Sequence, residues 1–404
     1  MSADVRTLTA RWIFPASSSP LEGGTVTIRG EKIEAVEPRG VRSADEDLGN
    51  VAIIPGLVNA HTHLDLSGAR GLIPPTDPDH FTDWLKRVIA YRRTRNEEQT
   101  LVDIESGLAE CLRFGTTLIG DIASEGKSWD ALSRANSRAV VFWELIGLRQ
   151  ETIKLAGYRM LEFATSNGIH PGSGGVATTR LASSPHASYS VHVTGFGSRK
   201  SVGLSMSHLA ETQAELELLA THTGPFVDFL QSLRVWEPSG IGTLRQILAR
   251  SRCPGSRLFA HCNYLPLDCC EYLVGNNSVV YCPRTHAAFG HPPHPFRDFL
   301  GRGVRVCLGT DSLASNPDLD ILAEARFVHA KYPDFPGDQL LKMVTLSGAE
   351  ALGWADECGS LELGKSADLV AVPLPDADGG PHELLFGPTI PGETRRTMWR
   401  GEWR

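Results

Sequence analysis

Two rhythms divide this chain. Near its start, apolar and polar residues alternate through Thr25-Val-Thr-Ile-Arg29, break at Gly30-Glu-Lys32, and resume through Ile33-Glu-Ala-Val36. A period of two marks a strand with one buried face, and the glycine-led break predicts a strand, a turn and a strand. The same texture returns near the end, in Asp368-Leu-Val-Ala-Val372 and Thr397-Met-Trp-Arg400. Both ends are therefore expected to build one small β-sandwich domain, from residues 1–54 and 355–404, with the rest inserted between them.

The inserted stretch, 55–354, alternates short apolar runs with amphipathic helical patterns. Strands are predicted to end near His61, Thr117 to Asp121, Glu144, Pro185, His208, His261, Cys282 and Asp311. Helices are predicted over Phe81–Tyr91, Gln99–Phe114, Ala214–His222, Leu244–Arg250, Asp268–Val274 and Phe296–Gly301. Repeated βα units with about eight strands point to the α/β class and a closed (β/α)₈ TIM-like barrel. The segment from Tyr189 to His208 is short for a full unit. Its Val191-His-Val-Thr-Gly-Phe-Gly197 run is a poor helix by propensity, so the fourth barrel helix is expected to be truncated.

Composition narrows the function classes. The 404 residues are 41% hydrophobic and 21% charged, ordinary for a globular chain, and the formal net charge is -8. That balance speaks against nucleic-acid binding, which usually shows a basic patch or stripe. The local cluster from Lys86 to Arg95 falls in a helical pattern and reads as a solvated face. The apolar stretch Val51–Val58 is broken by Pro55 and Gly56, and no segment approaches the ~20 residues that span a bilayer, so no membrane partner is expected. Met1–Ala10 lacks the basic and apolar regions of a leader. Eight cysteines form no CxxC pair, and Cys269 and Cys270 are adjacent, so reduced thiols and a cytoplasmic location are expected.

Candidate chemistry lies at the ends of the predicted strands. Asn59-Ala-His-Thr-His-Leu-Asp65 follows an apolar run. Residues i and i+2 of a strand share a face, so His61 and His63 would point together and could share a cation. With 14 histidines such a pair arises easily by chance. Its company strengthens it. Ser207-His-Leu-Ala-Glu-Thr212 places His208 at a strand end with Glu211 just beyond, Phe259-Ala-His-Cys-Asn263 ends a run at His261, and Cys307-Leu-Gly-Thr-Asp-Ser312 carries Asp311. Loops at the C-terminal ends of barrel strands build the active site, so these side chains converge. Imidazole and carboxylate together suit one divalent metal ion, Zn²⁺ foremost, with Fe²⁺ or Mn²⁺ also fitting.

In this order the motifs resemble the amidohydrolase superfamily, in its branch of aromatic-heterocycle deaminases and chlorohydrolases. The resemblance runs through Ile54-Pro-Gly-Leu-Val-Asn-Ala-His-Thr-His-Leu64, Ser184-Pro-His-Ala-Ser-Tyr189, His208-Leu-Ala-Glu-Thr212, Ala260-His-Cys262, Cys282-Pro-Arg-Thr285, Leu308-Gly-Thr-Asp-Ser312 and Gly359-Ser-Leu-Glu-Leu-Gly-Lys-Ser-Ala-Asp-Leu-Val370. It implies that His61, His63, His208 and Asp311 hold the metal. It further implies that Asp311 takes a proton from water, His261 orients that water, and Glu211 protonates a ring nitrogen and then the leaving amine. His186 matches a substrate contact, and His286, in Thr285-His-Ala-Ala-Phe-Gly-His-Pro-Pro-His-Pro295, is a candidate pocket residue beside His291 and His294. The implied activity is hydrolytic deamination of a small aminated heterocycle, an adenosine-type nucleoside such as aminodeoxyfutalosine, methylthioadenosine or an adenosylhomocysteine-like molecule. Assembly with further copies of the chain stays open. Two departures stand out: Ser188 replaces a proline usual in relatives, and Asp65 stands where a glutamate is common and receives no role.

Triazine-like dechlorination or guanine deamination would use the same site. Cyclic-amide hydrolysis at a two-metal site commonly needs a lysine after the fourth strand, and residues 171–190 contain none, with Lys154 and Lys200 misplaced on either side. A non-catalytic scaffold is disfavoured because every metal position and Glu211 is present. Gly172-Ser-Gly-Gly175 follows no clear strand and is not a dinucleotide fingerprint. His382-Glu begins no HExxH, and the PCxxC of zinc cytidine deaminases is absent.

Overall fold

A computed structural model describes residues 4–169, 178–197, 203–252, 255–390 and 392–404. The Gly172-Ser-Gly-Gly175 loop and Lys200 lie outside the described residues. Eight parallel strands follow one another in chain order in a single sheet: β1 (Leu57–Thr62), β2 (Thr116–Ala123), β3 (Arg138–Leu145), β4 (Thr179–Pro185), β5 (Ser205–Leu209), β6 (Arg257–His261), β7 (Ser278–Tyr281) and β8 (Arg305–Leu308). The sheet closes on itself. Thr62 bridges Asp311 in parallel fashion, and the Asp311 amide donates to the His61 carbonyl at 3.0 Å. Asn59 Nδ2 donates to Thr310 Oγ1 at 2.8 Å while the Thr310 amide donates to Asn59 Oδ1 at 3.1 Å. This is the (β/α)₈ barrel that the alternation predicts.

The interior is packed. Val58, Leu118, Val140, Phe142, Met206, Leu258, Val280 and Cys307 come from seven different strands and form one buried cluster with Leu352 and Trp354. Side chains from strands across a barrel can meet only inside it. Helices cover the outside. α1 (Phe81–Thr94) lays Phe81, Trp84 and Val88 inward, and α2 (Glu97–Arg113) begins at a reciprocal cap. There the Gln99 amide donates to Asn96 Oδ1 at 2.8 Å and the Asn96 amide to Gln99 Oε1 at 3.0 Å, the arrangement that satisfies two otherwise orphaned donors.

The two chain ends build two further sheets. One orders Lys32–Glu37, Thr25–Arg29, Val5–Thr9 and Glu46–Asp47. The other mixes both ends, with Leu369–Pro373 antiparallel to Val51–Pro55 and Arg396–Trp399 beyond it. Leu8, Val26, Ile28, Ile53, Leu369 and Met398 fill their shared core. Gly56 is the hinge between strand Val51–Pro55 and β1, and a Cβ there would lie 2.1 Å from Thr117 Oγ1, so no larger residue fits.

Several expectations are corrected. The helix expected over Asp268–Val274 is a 3₁₀ segment, Leu267–Tyr272. β7 is followed by a helix, Pro283–Ala288, that carries His286. Between β4 and β5 the described residues hold only a one-turn 3₁₀ helix, Val193–Phe196, in keeping with the weak helix propensity there. α3 (Trp129–Arg134) is short, and Lys154 is exposed on α4 (Gln150–Ser166). The seven cysteines among the described residues are all buried and free. No helix among the described residues is long and apolar enough to cross a membrane.

Candidate metal and active site

His61, His63, His208 and Asp311 converge at the C-terminal mouth of the barrel, as the spacing predicts. Asp311 Oδ1 lies 3.6 Å from His61 Nε2 and 3.6 Å from His63 Nε2. His63 Nε2 and His208 Nε2 are 3.2 Å apart. His61 joins them through an irregularity that alternation does not foresee. Val58 and Ala60 face the interior, so regular alternation would turn His61 outward. The pairing of β1 with β2 slips between Asn59 and Thr62, and a slip of this kind re-aims a side chain. His61 Nδ1 then sits 3.1 Å from Met206 Sδ, inside the barrel.

The donor set fits a divalent ion. For bonds of about 2.0–2.2 Å, donors at tetrahedral corners stand roughly 3.3–3.6 Å apart, close to the 3.2–3.6 Å separations here. The His208 amide and its Nδ1 both approach the His186 carbonyl, at 2.8 and 2.9 Å. Donation from Nδ1 to that oxygen leaves the Nε2 lone pair aimed inward, the usual way a ligating imidazole is oriented. Burial, with neighbouring imidazoles adding to it, drives the pKa values of His63 and His208 well below normal, so both are neutral. His61 Nε2 is buried without a hydrogen-bond partner among the described residues, an orphan that a cation would satisfy. A second, overlapping group, His61, His208 and His261, also places its nitrogens within ligand range.

Glu211 and His261 complete the cluster. Glu211 Oε1 lies 3.5 Å from His261 Nε2. Their surroundings shift the two carboxyl groups in opposite directions. Burial raises the pKa of Glu211 well above the carboxylate range, and the nearby Asp311 and Glu215 add to this. Burial acts in the same direction on Asp311, but the imidazoles of His61, His261 and His63 around it outweigh this and hold Asp311 well below its usual value. A protonated acid beside an ionised base is the pairing that acid–base catalysis needs. The backbone is strained here: Ala210, His261, Cys262 and Asp311 take φ values of 51°, 69°, 55° and 61°, a conformation that L residues adopt at a cost and that clusters at functional sites.

His186 also reaches the cavity. Its ring centroid is 4.9 Å from that of His208, Nδ1 is 2.7 Å from Ser190 Oγ, and burial lowers its pKa to about 3. The cavity wall opposite is apolar, made by Phe81, Trp84, Leu85 and Val88 of α1. His286 is not among the residues that line this cavity. It is 2% exposed, 5.3 Å from the His291 ring and 5.6 Å from the Tyr281 ring. His291 and His294 sit beside it, and His294 Nε2 donates to the His261 carbonyl at 2.7 Å. A larger cavity, about 630 Å³, is lined by α4, β4 and the first residues of β5 and β6, and by none of the candidate site residues described above.

One charged trio was not legible in the sequence. The Lys86–Arg95 cluster is no uniformly solvated face: Arg92 keeps only 28% of its side-chain exposure and pairs with Asp65 at 3.1 Å and Glu144 at 3.5 Å. Arg95 likewise turns to Asp103, at 2.6 Å. Arg92 thus anchors α1 to the loop after β1 and to the end of β3. The only signal was its place on the apolar stripe, eight residues after Trp84.

The sequence model of the amidohydrolase family matches residues 207–404. A 5-methylthioadenosine/S-adenosylhomocysteine deaminase of Moorella thermoacetica is 30% identical over 386 residues, covering 90% of this chain and 84% of that one. Among solved structures, Helicobacter pylori aminofutalosine deaminase in complex with methylthio-coformycin superposes with a TM-score of 0.84 at 21% identity, covering 99% of this chain and 100% of that one. An adenosine deaminase from Xanthomonas campestris with bound zinc gives a TM-score of 0.77 at 23% identity, covering 98% and 92%.

Proposed function

This chain belongs to the amidohydrolase family, and from that premise we propose that it is a metal-dependent deaminase of an adenosine-type nucleoside, with 5′-methylthioadenosine or S-adenosylhomocysteine as the first candidates. The observation that carries the reading is the convergence of His61, His63, His208 and Asp311 at one mouth of the barrel, with Glu211 and His261 3.5 Å apart beside them. The name of the full-length relative supplies the substrate class.

His61, His63, His208 and Asp311 would hold one divalent ion, with zinc the best match to three imidazoles and a carboxylate. Bound there, such an ion supplies Lewis acidity and lowers the pKa of a water to about 7. The protein's own groups do the rest. Asp311, ionised, accepts a proton from the attacking water. His261 orients that water. Glu211, protonated, gives its proton to the ring nitrogen next to the amine-bearing carbon, which gains charge as water adds. Glu211, now ionised, takes the proton of the adduct's hydroxyl and hands it to the amine, so that the carbon–nitrogen bond breaks and ammonia leaves, and the proton held by Asp311 returns to restore Glu211. The balance is nucleoside amine plus water to the oxo nucleoside plus ammonia. Phe81 and Trp84 offer flat apolar surface to a heterocycle, and His186 offers a polar contact beside it.

Purified protein loaded with zinc should release ammonia from 5′-methylthioadenosine or S-adenosylhomocysteine, against adenosine, aminofutalosine, guanine and melamine as comparisons. Absence of ammonia from every nucleoside, with metal bound, sinks the proposal. Halide release from a chlorinated triazine would then move the reading to the chlorohydrolase side of the family.

A further inference from the structure

Glu215 is a glutamate with no exposure at all, one turn into α5 (Gln213–Thr221). A buried carboxylate must be hydrogen-bonded to be tolerated. Its partners are unusual in where they come from. Oε1 accepts from Ser188 Oγ at 2.5 Å and from the Ala210 amide at 3.0 Å, and Oε2 accepts from the Glu211 amide at 2.8 Å. The side chain folds back past the helix cap, where Thr212 Oγ1 accepts from the Glu215 amide at 3.2 Å. One carboxylate therefore grips two of the three residues that lead from β5 to the helix, Ala210 and Glu211.

That grip has consequences for the acid. Ala210 is held at a φ of 51°, which an alanine would leave if it could. The Ala210 carbonyl accepts from the Tyr264 amide at 2.9 Å, and the Glu211 carbonyl accepts from Asn263 Nδ2 at 3.0 Å. With amides and carbonyls both tied, the direction in which the Glu211 side chain leaves the backbone has one setting, toward His261. Ser188 comes from a different loop, two residues after His186, whose carbonyl receives His208. The Ser188 hydroxyl is itself buried, at 1% residue exposure. The bond from Ser188 to Glu215 thus ties the loop after β4 to the loop after β5.

We propose that Ser188 and Glu215 are a positioning pair for the deamination proposed above: they hold Glu211 in register with the ring nitrogen, and they act through Glu211 without touching substrate. The inference rests on that reading of the site. A displacement of about 1 Å in a reacting group can cost on the order of 100-fold in rate, and loss of a supporting hydrogen bond commonly costs about 10- to 100-fold.

The test uses zinc-loaded full-length protein with 5′-methylthioadenosine. It measures kcat, KM, bound zinc and the solvent deuterium isotope effect on kcat for wild type, Ser188→Ala, Ser188→Thr, Glu215→Gln and the Ser188→Ala/Glu215→Gln double variant. Ser188→Ala should lower kcat about tenfold and Glu215→Gln up to about 100-fold, with KM and zinc content held. The isotope effect should grow as proton transfer slows. Ser188→Thr, which keeps the hydroxyl, should recover most of the rate. The double variant should be no slower than Glu215→Gln alone, because the two residues act as one unit. Ser188→Ala with wild-type kcat, or a loss that tracks zinc content, overturns the proposal. If Glu215→Gln does not fold, the Ser188→Ala and Ser188→Thr pair decides alone. A wild type that releases no ammonia overturns the deaminase reading and the positioning role with it, whereas an active wild type with an indifferent Ser188→Ala overturns only the latter.

Discussion

Replacing Arg138 with methionine removes the positive member of a buried pair at the floor of the barrel. Arg138 opens β3 and is 4% exposed. Its guanidinium donates to Asp368 Oδ2 and lies 4.9 Å from the Trp399 ring and 5.5 Å from the Trp354 ring. Asp368, 3% exposed, also accepts from Ser366 Oγ at 2.8 Å and from the Arg400 amide at 3.0 Å. The pair therefore joins the barrel to the sheet built from the chain ends. Removing one partner of a buried ion pair costs about 3–5 kcal/mol because the other charge is left behind; neither group is exposed enough to discount this. The sign with pH follows from Asp368. Burial already raises its pKa, and Arg138 is the chief opposing influence. Without Arg138 the folded-state value rises further, while the unfolded value stays near about 3.9. A group bound more tightly to its proton in the folded state loses stability as pH rises between those two values. The deficit of Arg138→Met should thus be small near the unfolded value of about 3.9, grow as pH rises above it, and be complete above the new folded value. Thermal unfolding followed by circular dichroism at pH 5 and pH 8 measures it. Arg138→Met/Asp368→Asn should recover much of the loss at pH 8, since no charge remains unpaired. A variant as stable as wild type at pH 8, or a deficit equal at both pH values, would refute the reasoning.

Glu211→Gln should fold, keep its metal and lose about 10²- to 10⁴-fold in kcat, read by ammonia release; retention of the rate would remove Glu211 from the chemistry. Dialysis against a chelator should strip about one divalent ion per chain, abolish ammonia release and lower the unfolding midpoint, with zinc restoring all three; an unchanged midpoint would mean that the imidazole cluster holds no ion in the folded protein. Arg92→Met frees α1 from Asp65 and Glu144, so KM should rise roughly tenfold with metal content unchanged; steady-state kinetics with a wild-type KM would show that the trio does not shape the cavity.

Much of this architecture is written locally. Apolar runs at β1 through β8 and the period-two segments at Thr25–Arg29 and Leu369–Pro373 declare their secondary structure wherever they are placed, because burial of one face needs only residue order. The ends of those runs also name His61, His63, His208, His261, Glu211 and Asp311, since a parallel barrel brings every strand's C-terminal end to one mouth. Local pattern weakens where propensity is poor. The helical pattern over Asp268–Val274 folded as a 3₁₀ segment, Leu267–Tyr272, a form that this window of the sequence does not specify.

What only the tertiary structure decided is long-range and depends on distance in space. The inward turn of His61 comes from a slip in the pairing of β1 with β2, and alternation along one strand carries no record of its neighbour's register. The anchoring of Arg92 by Asp65 and Glu144 joins residues 27 and 52 positions away, so the cluster around it reads as solvated until those carboxylates are placed. The opposed protonation of Glu211 and Asp311 is likewise invisible in composition. Both are carboxylic acids, and the sequence determined only that both reach the mouth of the barrel; burial and the neighbours of each carboxylate, set by the closed sheet, decide which one keeps its proton.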